Sequence, residues 1–167
     1  MRSFLTRMIG AAKLDAGIYE EVEADQSAFG QAAVIVILSG IAAVIGVTQR
    51  VRFAEMIAAA GLALVAWASW SGIAYFVGAR LCPEPQTRAD WGELLRTTGF
   101  ATAPGMLSVV GLIPIFAGLA PVLAAVWTLF TFGLAVRQAL DYQSALRAIG
   151  VSLVGWLLFA GTFFAFR

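Results

Sequence analysis

Long uncharged stretches alternate with short polar segments along the whole chain. The first stretch, Ala28 to Thr48, lies between Asp25 and Arg50, and the second, 56–79, lies between Glu55 and Arg80. A helix needs about 20 apolar residues to cross the hydrocarbon core of a bilayer. Each stretch therefore predicts one membrane-spanning helix.

A third uncharged stretch, 97–136, is 40 residues long. One continuous helix of that length would measure about 60 Å, twice the thickness of the hydrocarbon core. Turn signals lie inside it, at Gly111 with Pro114 and at Gly118 with Pro121. The stretch predicts a helical hairpin, and the sequence leaves open whether its turn reaches the far side of the membrane or the hairpin is re-entrant.

A last apolar stretch between Arg147 and Arg167 brings the count of spans to five. The predicted fold class is an all-α membrane protein, a single membrane domain over 1–167 that forms a five-helix bundle with two interfacial amphipathic helices on its cytoplasmic side. The five predicted spans cover 28–48, 56–79, 97–117, 119–136 and 148–166.

Basic residues predict the orientation, because Lys and Arg accumulate in cytoplasmic loops. The tail before span one and the connections after spans two and four hold eight basic residues, against three on the other side. We expect a cytoplasmic N-terminus and a C-terminus outside.

Two polar segments have the spacing of amphipathic helices. The first carries its apolar residues at Phe4, Leu5, Met8, Ile9 and Ala12, and its basic residues at Arg2, Arg7 and Lys13. The second follows the capping pattern Thr87 to Asp90 and runs from Trp91 into span three. An anchor lying flat on the membrane is the favoured interpretation of the first helix, and a lipid or partner contact is the alternative.

Four carboxylates lie just before span one, at Glu20, Glu21, Glu23 and Asp25. Glu21 and Asp25 lie one helical turn apart and repel each other unless a cation is near. The favoured hypothesis is an internal ion pair, for which the topology offers Arg80, Arg96, Arg137 and Arg147. A docking surface for a basic partner comes second, and a divalent cation site third. The candidate interaction residues are Tyr19, Glu20, Glu21, Asp25 and Trp91.

Composition narrows the classes of function. At 60% hydrophobic and 13% charged residues, with mean hydropathy +0.86, the chain is too apolar for a soluble domain. It contains no His and a single Cys, Cys82, so we expect no enzyme, no metal and no cofactor. A net charge of +1 gives no basis for binding nucleic acid. The apolar stretches hold no ionisable side chain, which argues against a proton or ion pump.

The segment Trp91 to Pro104, WGELLRTTGFATAP, resembles the Yip1 domain family. The family's third span opens with glycine, an aromatic residue, three further residues and proline, matched by Gly99, Phe100 and Pro104; its fourth span carries a tryptophan, matched by Trp127. The resemblance implies five helical spans and a cytoplasmic N-terminus. Eukaryotic relatives are associated with vesicle traffic and small Rab-type GTPases. Because the long tail linked with GTPase binding in those relatives has no counterpart here, GTPase binding is not expected.

Ten arginines against one lysine, and no asparagine, are typical of a GC-rich bacterial genome. We therefore expect the inner membrane of a bacterium, with the C-terminus in the periplasm. The favoured function is a non-enzymatic protein that contacts membrane lipid and other integral membrane proteins, or its own copies, as an accessory subunit, assembly factor or scaffold. The alternative is a transporter, channel or lipid-moving protein for a neutral or amphipathic substrate, with a path lined by hydroxyls of the spans.

Overall fold

The computed structural model describes residues 2–144 and 146–154, and within them the chain is helical with no β-strand. Six α-helices follow one another, joined by turns, a π-helical turn and two 3₁₀ segments. The α-helices are α1 (Phe4–Ala12), α2 (Ala16–Ala24), α3 (Ala28–Thr48), α4 (Phe53–Tyr75), α5 (Trp91–Ala101) and α6 (Leu119–Ala139). Residues 146–154 are also helical.

Three helices in the described part are long and apolar enough to cross a membrane: α3, α4 with its π-helical extension Phe76–Leu81, and α6. The first has the bounds predicted from its flanking charges. The second begins at Phe53, three residues before the predicted start, so that Glu55 lies in its first turn. The fourth predicted span corresponds to α6 but continues to Ala139, past Arg137.

The third predicted span, 97–117, is not one continuous α-helix. The α-helix ends at Ala101, and a 3₁₀ segment continues from Ala103 to Leu112. Pro104 stands in the first turn of that segment. Proline has no N–H for an α-helical hydrogen bond and its ring clashes with the preceding turn, which explains the change of helix type at this position.

The 3₁₀ segment packs against α3 and α6, and glycine permits the closest of these contacts. A Cβ atom at Gly46 of α3 would lie 1.9 Å from the carbonyl oxygen of Ser108. Further along, a Cβ at Gly99 of α5 would lie 2.6 Å from the Cβ of Ala32. Larger side chains at these two positions would force the backbones apart.

The predicted amphipathic helix α1 is one arm of a helical hairpin, and α2 folds back along it. The turn between them places Leu14 at φ 62°. Trp127 of α6 donates a hydrogen bond from Nε1 to the carbonyl oxygen of Ala12, at 2.8 Å. Trp127 is the ninth of the 21 residues of α6, so the tip of the hairpin lies beside the middle of that helix.

The fifth predicted span, 148–166, lies almost wholly outside the described residues. The single-domain and five-span assignments therefore stay predictions.

Candidate functional site

The helix α2 carries polar side chains on two sides of a buried apolar stripe. Ile18, Tyr19 and Val22 are fully buried against the bundle. Asp15 caps the first turn through a hydrogen bond from the backbone N–H of Gly17, and the helix ends at Asp25. The carboxylates that flank this stripe form two clusters with opposite environments.

The first cluster, which we call the ionic cluster, consists of Arg7, Glu21 and Asp25. Arg7 Nη2 lies 2.8 Å from Glu21 Oε1 and 2.8 Å from Asp25 Oδ2, and the arginine is only 2% exposed. Its Nη1 donates to Gln31 Oε1 of α3 at 3.3 Å. One guanidinium therefore neutralises two carboxylates and joins α1, α2 and α3.

The cation that pairs with Glu21 and Asp25 is thus Arg7, and the prediction of Arg80, Arg96, Arg137 or Arg147 was wrong. In the sequence, Arg7 falls on the polar side of a surface helix, whereas the α1–α2 hairpin turns it inward. Hydrogen bonding to Arg7 lowers the pKa of Glu21. Hydrogen bonds to Ser27, and then to Arg7, lower the pKa of Asp25.

The second cluster lines a polar cleft of about 500 Å³ between α2, the start of α5 and the end of α6. We call it the acidic cleft. Glu20 accepts a hydrogen bond from Gln138 Nε2 at 3.0 Å, and Arg137 Nε donates to the backbone carbonyl of Tyr142 at 3.2 Å. The charged and amide residues that line the cleft are Glu20, Glu23, Glu93, Arg137, Gln138 and Asp141.

Glu23 is the most perturbed carboxylate of the acidic cleft. Burial, and after it the negative charges of Glu93 and Asp141, raise its pKa to about 7, against the positive charge of Arg96. The guanidinium of Arg96 is directed at the main chain, because it donates to the carbonyl oxygens of Val22 and Glu23. The cleft therefore gathers negative charge that the neighbouring side chains compensate incompletely.

Hydrogen bonds hold the walls of the cleft in place. Tyr142 Oη donates to the carbonyl oxygens of Gly78 and Cys82 at the π-helical turn, at 2.9 and 2.7 Å. The buried Glu84 accepts from the backbone N–H of Gln143 at 3.0 Å. These contacts fasten the connection after α4 to the connection after α6, so the cleft is a fixed feature of the fold.

Within residues 2–144 and 146–154, no group of three or more His, Cys, Asp or Glu side chains is arranged to hold a metal ion.

The family model for the Yip1 domain matches residues 16–166. The chain belongs to the Yip1 domain family. No curated protein and no solved structure matches it. The match and the three long apolar helices together make it a membrane protein. The Yip1 match begins at the first residue of α2, so Arg7 lies outside the matched region while the carboxylates it binds lie inside it.

The structure separates the predicted interaction residues of the Yip1 domain. Tyr19 is fully buried and donates from Oη to the carbonyl oxygen of Ala11, at 3.1 Å. Glu21 and Asp25 lie in the ionic cluster, while Glu20 lines the acidic cleft. Trp91 is 49% exposed at the first turn of α5. Of these five residues, Glu20 and Trp91 are exposed, Glu21 and Asp25 are partly buried, and Tyr19 is buried.

The residues of the family motif lie in the helix packing. Phe100 is fully buried, Gly99 permits the contact of α5 with α3, and Pro104 begins the 3₁₀ segment. Trp127 is 43% exposed and fastens the tip of the α1–α2 hairpin.

Sequence reasoning did not assign Glu93 and Asp141 to the site. Each lies in a connection that the topology places on the side of α2, and that shared side was the available signal.

Proposed function

We propose that this Yip1 protein acts without catalysis, by contact with other membrane proteins, as an accessory subunit, assembly factor or scaffold. The observation that carries the proposal is the acidic cleft. Four carboxylates converge there, and the guanidinium of Arg137 is engaged with a backbone carbonyl. A basic segment of a partner would supply the missing positive charge and relieve the repulsion around Glu23.

The proposed setting is a bacterial inner membrane with five crossings and the acidic cleft on the cytoplasmic side. The third crossing would combine α5 with the 3₁₀ segment. From Thr97, where the predicted span begins, the last five residues of α5 and the ten of the 3₁₀ segment extend roughly 28 Å, at about 1.5 Å per residue for α-helix and about 2.0 Å for 3₁₀-helix. That length is close to a hydrocarbon core of about 30 Å. The excess of basic residues in the tail and in the connections after the second and fourth predicted spans supports this orientation.

Charge reversal in the cleft tests the proposal. The tagged protein with Glu20→Lys and Asp141→Lys is expected to insert into the membrane as the unaltered chain does, but to lose most of the membrane proteins that copurify with it. Both substituted side chains are exposed, so the main cost in folding stability is about 1 kcal/mol at Asp141, whose left-handed backbone at φ 53° Lys adopts less readily than Asp. The measurement is native mass spectrometry of the complex isolated in mild detergent.

Glu55→Lys is the matched control, because Glu55 lies in the first turn of α4, far along the chain from the cleft, and pairs with Arg52 at 3.4 Å. This variant should keep its partners. Equal recovery of partners with the cleft variant and the control would refute the role of the cleft. Recovery of a homo-oligomer alone, lost on reversal in the cleft, would identify the partner as a second copy.

The alternative of a transporter or channel has less support. Four of the hydroxyls in the predicted spans, those of Ser39, Thr102, Thr128 and Thr131, donate to backbone carbonyls of the bundle. Hydroxyls bound in this way stabilise helix packing and leave few donors for a solute.

A further inference from the structure

A cavity of about 240 Å³ lies inside the bundle, between α3, α4, α6 and the start of the 3₁₀ segment. Small residues make the space, among them Gly40 and Ala43 on α3 and Ala63 and Ala66 on α4. Ala43 is exposed on the outer surface of α3, so the cavity opens toward the lipid side of the bundle.

The cavity lies at mid-height of the three long helices. Ser39 is the twelfth of the 21 residues of α3, Trp67 is the middle residue of Phe53–Leu81, and Thr128 is the tenth of the 21 residues of α6. Ser39 and Thr128 are therefore about 15 Å from the ends of their helices, and Trp67 is about 21 Å from either end of its own. A ligand in this cavity would have to bring its polar group to the centre of the hydrocarbon core.

Two tryptophans line the cavity, and only one of their two indole N–H groups has a hydrogen-bond acceptor among the described residues. Trp67 donates from Nε1 to Thr98 Oγ1 at 3.1 Å. Trp70 is 4% exposed, and its Nε1 has no acceptor among the described residues. The ring next to it is that of Phe132, edge to face at 4.6 Å between ring centres, and an aromatic face is a weak substitute for an oxygen. An unpaired buried donor is costly, most of all where no water is at hand.

The lining defines the chemistry of the missing acceptor. It holds no ionisable side chain, so the ligand is neutral. The hydroxyls of Ser39, Thr102 and Thr128 already donate to backbone carbonyls, so the unmatched group of the site is the donor of Trp70. The aromatic walls of Trp67, Trp70 and Phe132 suit a flat ring.

We propose that this cavity binds the ring of a lipid quinone, a neutral planar head that carries its carbonyls into the bilayer interior, with one carbonyl oxygen accepting from Trp70 Nε1. The ester carbonyls of phospholipids lie at the edges of the hydrocarbon core, about 15 Å from this depth. Binding requires the indole of Trp70 to turn, because Nε1 has almost no accessible surface. The inference is independent of the proposed function, since the cavity and the acidic cleft share no lining residue.

The probe is decylubiquinone, added to the full chain in phosphatidylcholine nanodiscs with ¹⁵N-labelled indoles. The indole N–H resonance of Trp70 is identified as the one missing from the spectrum of Trp70→Phe. It should move downfield, and the shift should saturate, as decylubiquinone is added. Trp70→Phe should weaken binding about tenfold, as expected for one lost hydrogen bond of about 1.4 kcal/mol. Trp67→Phe is the matched control and should weaken binding less than about threefold, because its N–H is already paired within the bundle.

Decylbenzene, which has a similar tail and no carbonyl, should bind at least tenfold more weakly than the quinone. If Trp70→Phe does not fold, Ala43→Leu at the rim should still reduce binding, because it narrows the opening without removing a buried polar group. The proposal is overturned if quinone binding does not saturate, or if decylbenzene binds as tightly as decylubiquinone. It is also overturned if the indole signal of Trp70 does not move when the quinone is added. It is also overturned if that signal is already in the hydrogen-bonded position in nanodiscs without quinone, since a phospholipid would then supply the acceptor.

Discussion

The two sides of α2 carry the same type of side chain in opposite electrostatic environments. In the ionic cluster, Glu21 and Asp25 share one buried guanidinium, and the pKa of each is lowered. In the acidic cleft, Glu23 faces other carboxylates, and its pKa is raised to about 7. Arg7, which α1 supplies from outside the region matched by the family, pairs with both carboxylates of the ionic cluster, whereas burial and neighbouring carboxylates raise the pKa of Glu23.

This comparison separates a contact that holds the chain together from a surface that is free to bind. The compensated carboxylates fasten the α1–α2 hairpin to the bundle. The incompletely compensated ones retain charge that a partner can neutralise. A short acidic segment therefore contains two functions, and local sequence spacing does not distinguish them.

The largest expected effect comes from removing the shared cation. Arg7→Met leaves Asp25 without its guanidinium and Glu21 with only the more distant Arg2, at 3.7 Å. It should lower the free energy of unfolding by about 2–3 kcal/mol, below the full cost of breaking a buried pair because Glu21 keeps 26% of its side-chain surface. Thermal unfolding in detergent measures this. Arg2→Met is the control, because Arg2 is half exposed, and it should change stability by less than about 0.5 kcal/mol. Equal losses in the two variants would contradict the central role of Arg7.

The next prediction concerns pH. Because the pKa of Glu23 is raised from 4.5 to about 7 in the folded chain, its contribution to stability is fully present below pH 4.5 and is lost as pH rises toward 7. The lowered pKa values of Glu21 and Asp25 act in the opposite direction and cost stability only as pH falls below the usual carboxylate range. Glu23→Gln should therefore flatten the decline between pH 4.5 and 7. The groups that face Glu23 are Glu20, Glu93, Arg96 and Asp141.

Unfolding temperatures measured at intervals between pH 4 and 8 test this prediction. Glu20→Gln is the control, since Glu20 is exposed on the same helix. The unfolding temperature of this variant should still fall between pH 4.5 and 7. A slope that survives in Glu23→Gln would assign the pH dependence to another group.

The smallest effect is expected from adding a cation to the acidic cleft. Gln138 donates to Glu20 at 3.0 Å, so Gln138→Lys places an ammonium group where the amide lies. The free energy of unfolding should increase by no more than about 1 kcal/mol at pH 7.5, as for other partly exposed ion pairs, and salt should reduce this increase. The same variant should bind basic partners less well. Lower stability at low salt would show that the cleft is less acidic than the structure indicates.

Much of the fold follows from the sequence because charge boundaries mark apolar helices directly. The bounds of α3 were predicted to the residue, since Asp25 and Arg50 flank it closely. The third span was predicted with one helix type where the structure has two. Pro104 accounts for the end of the α-helix, but the close packing of the 3₁₀ segment against the backbone of α3 at Gly46 is a tertiary contact that the sequence does not reveal.

The candidate site was less predictable because it depends on how a hairpin folds back. The spacing of Glu21 and Asp25 correctly indicated the need for a cation. Arg7 was missed because its position on the helical wheel places it on the polar side, and only the antiparallel packing of α2 turns that side inward. Glu93 and Asp141 belong to connections far apart in the chain, and tertiary structure alone brings them to Glu23.

The 3₁₀ segment from Ala103 to Leu112 has a mechanical consequence. The same ten residues would be about 5 Å shorter as α-helix, because the rise per residue falls from about 2.0 to about 1.5 Å. That difference is comparable to the thickness differences between natural bilayers. Where such a segment crosses the membrane, its ten residues cover about 5 Å more of the bilayer than they would as α-helix.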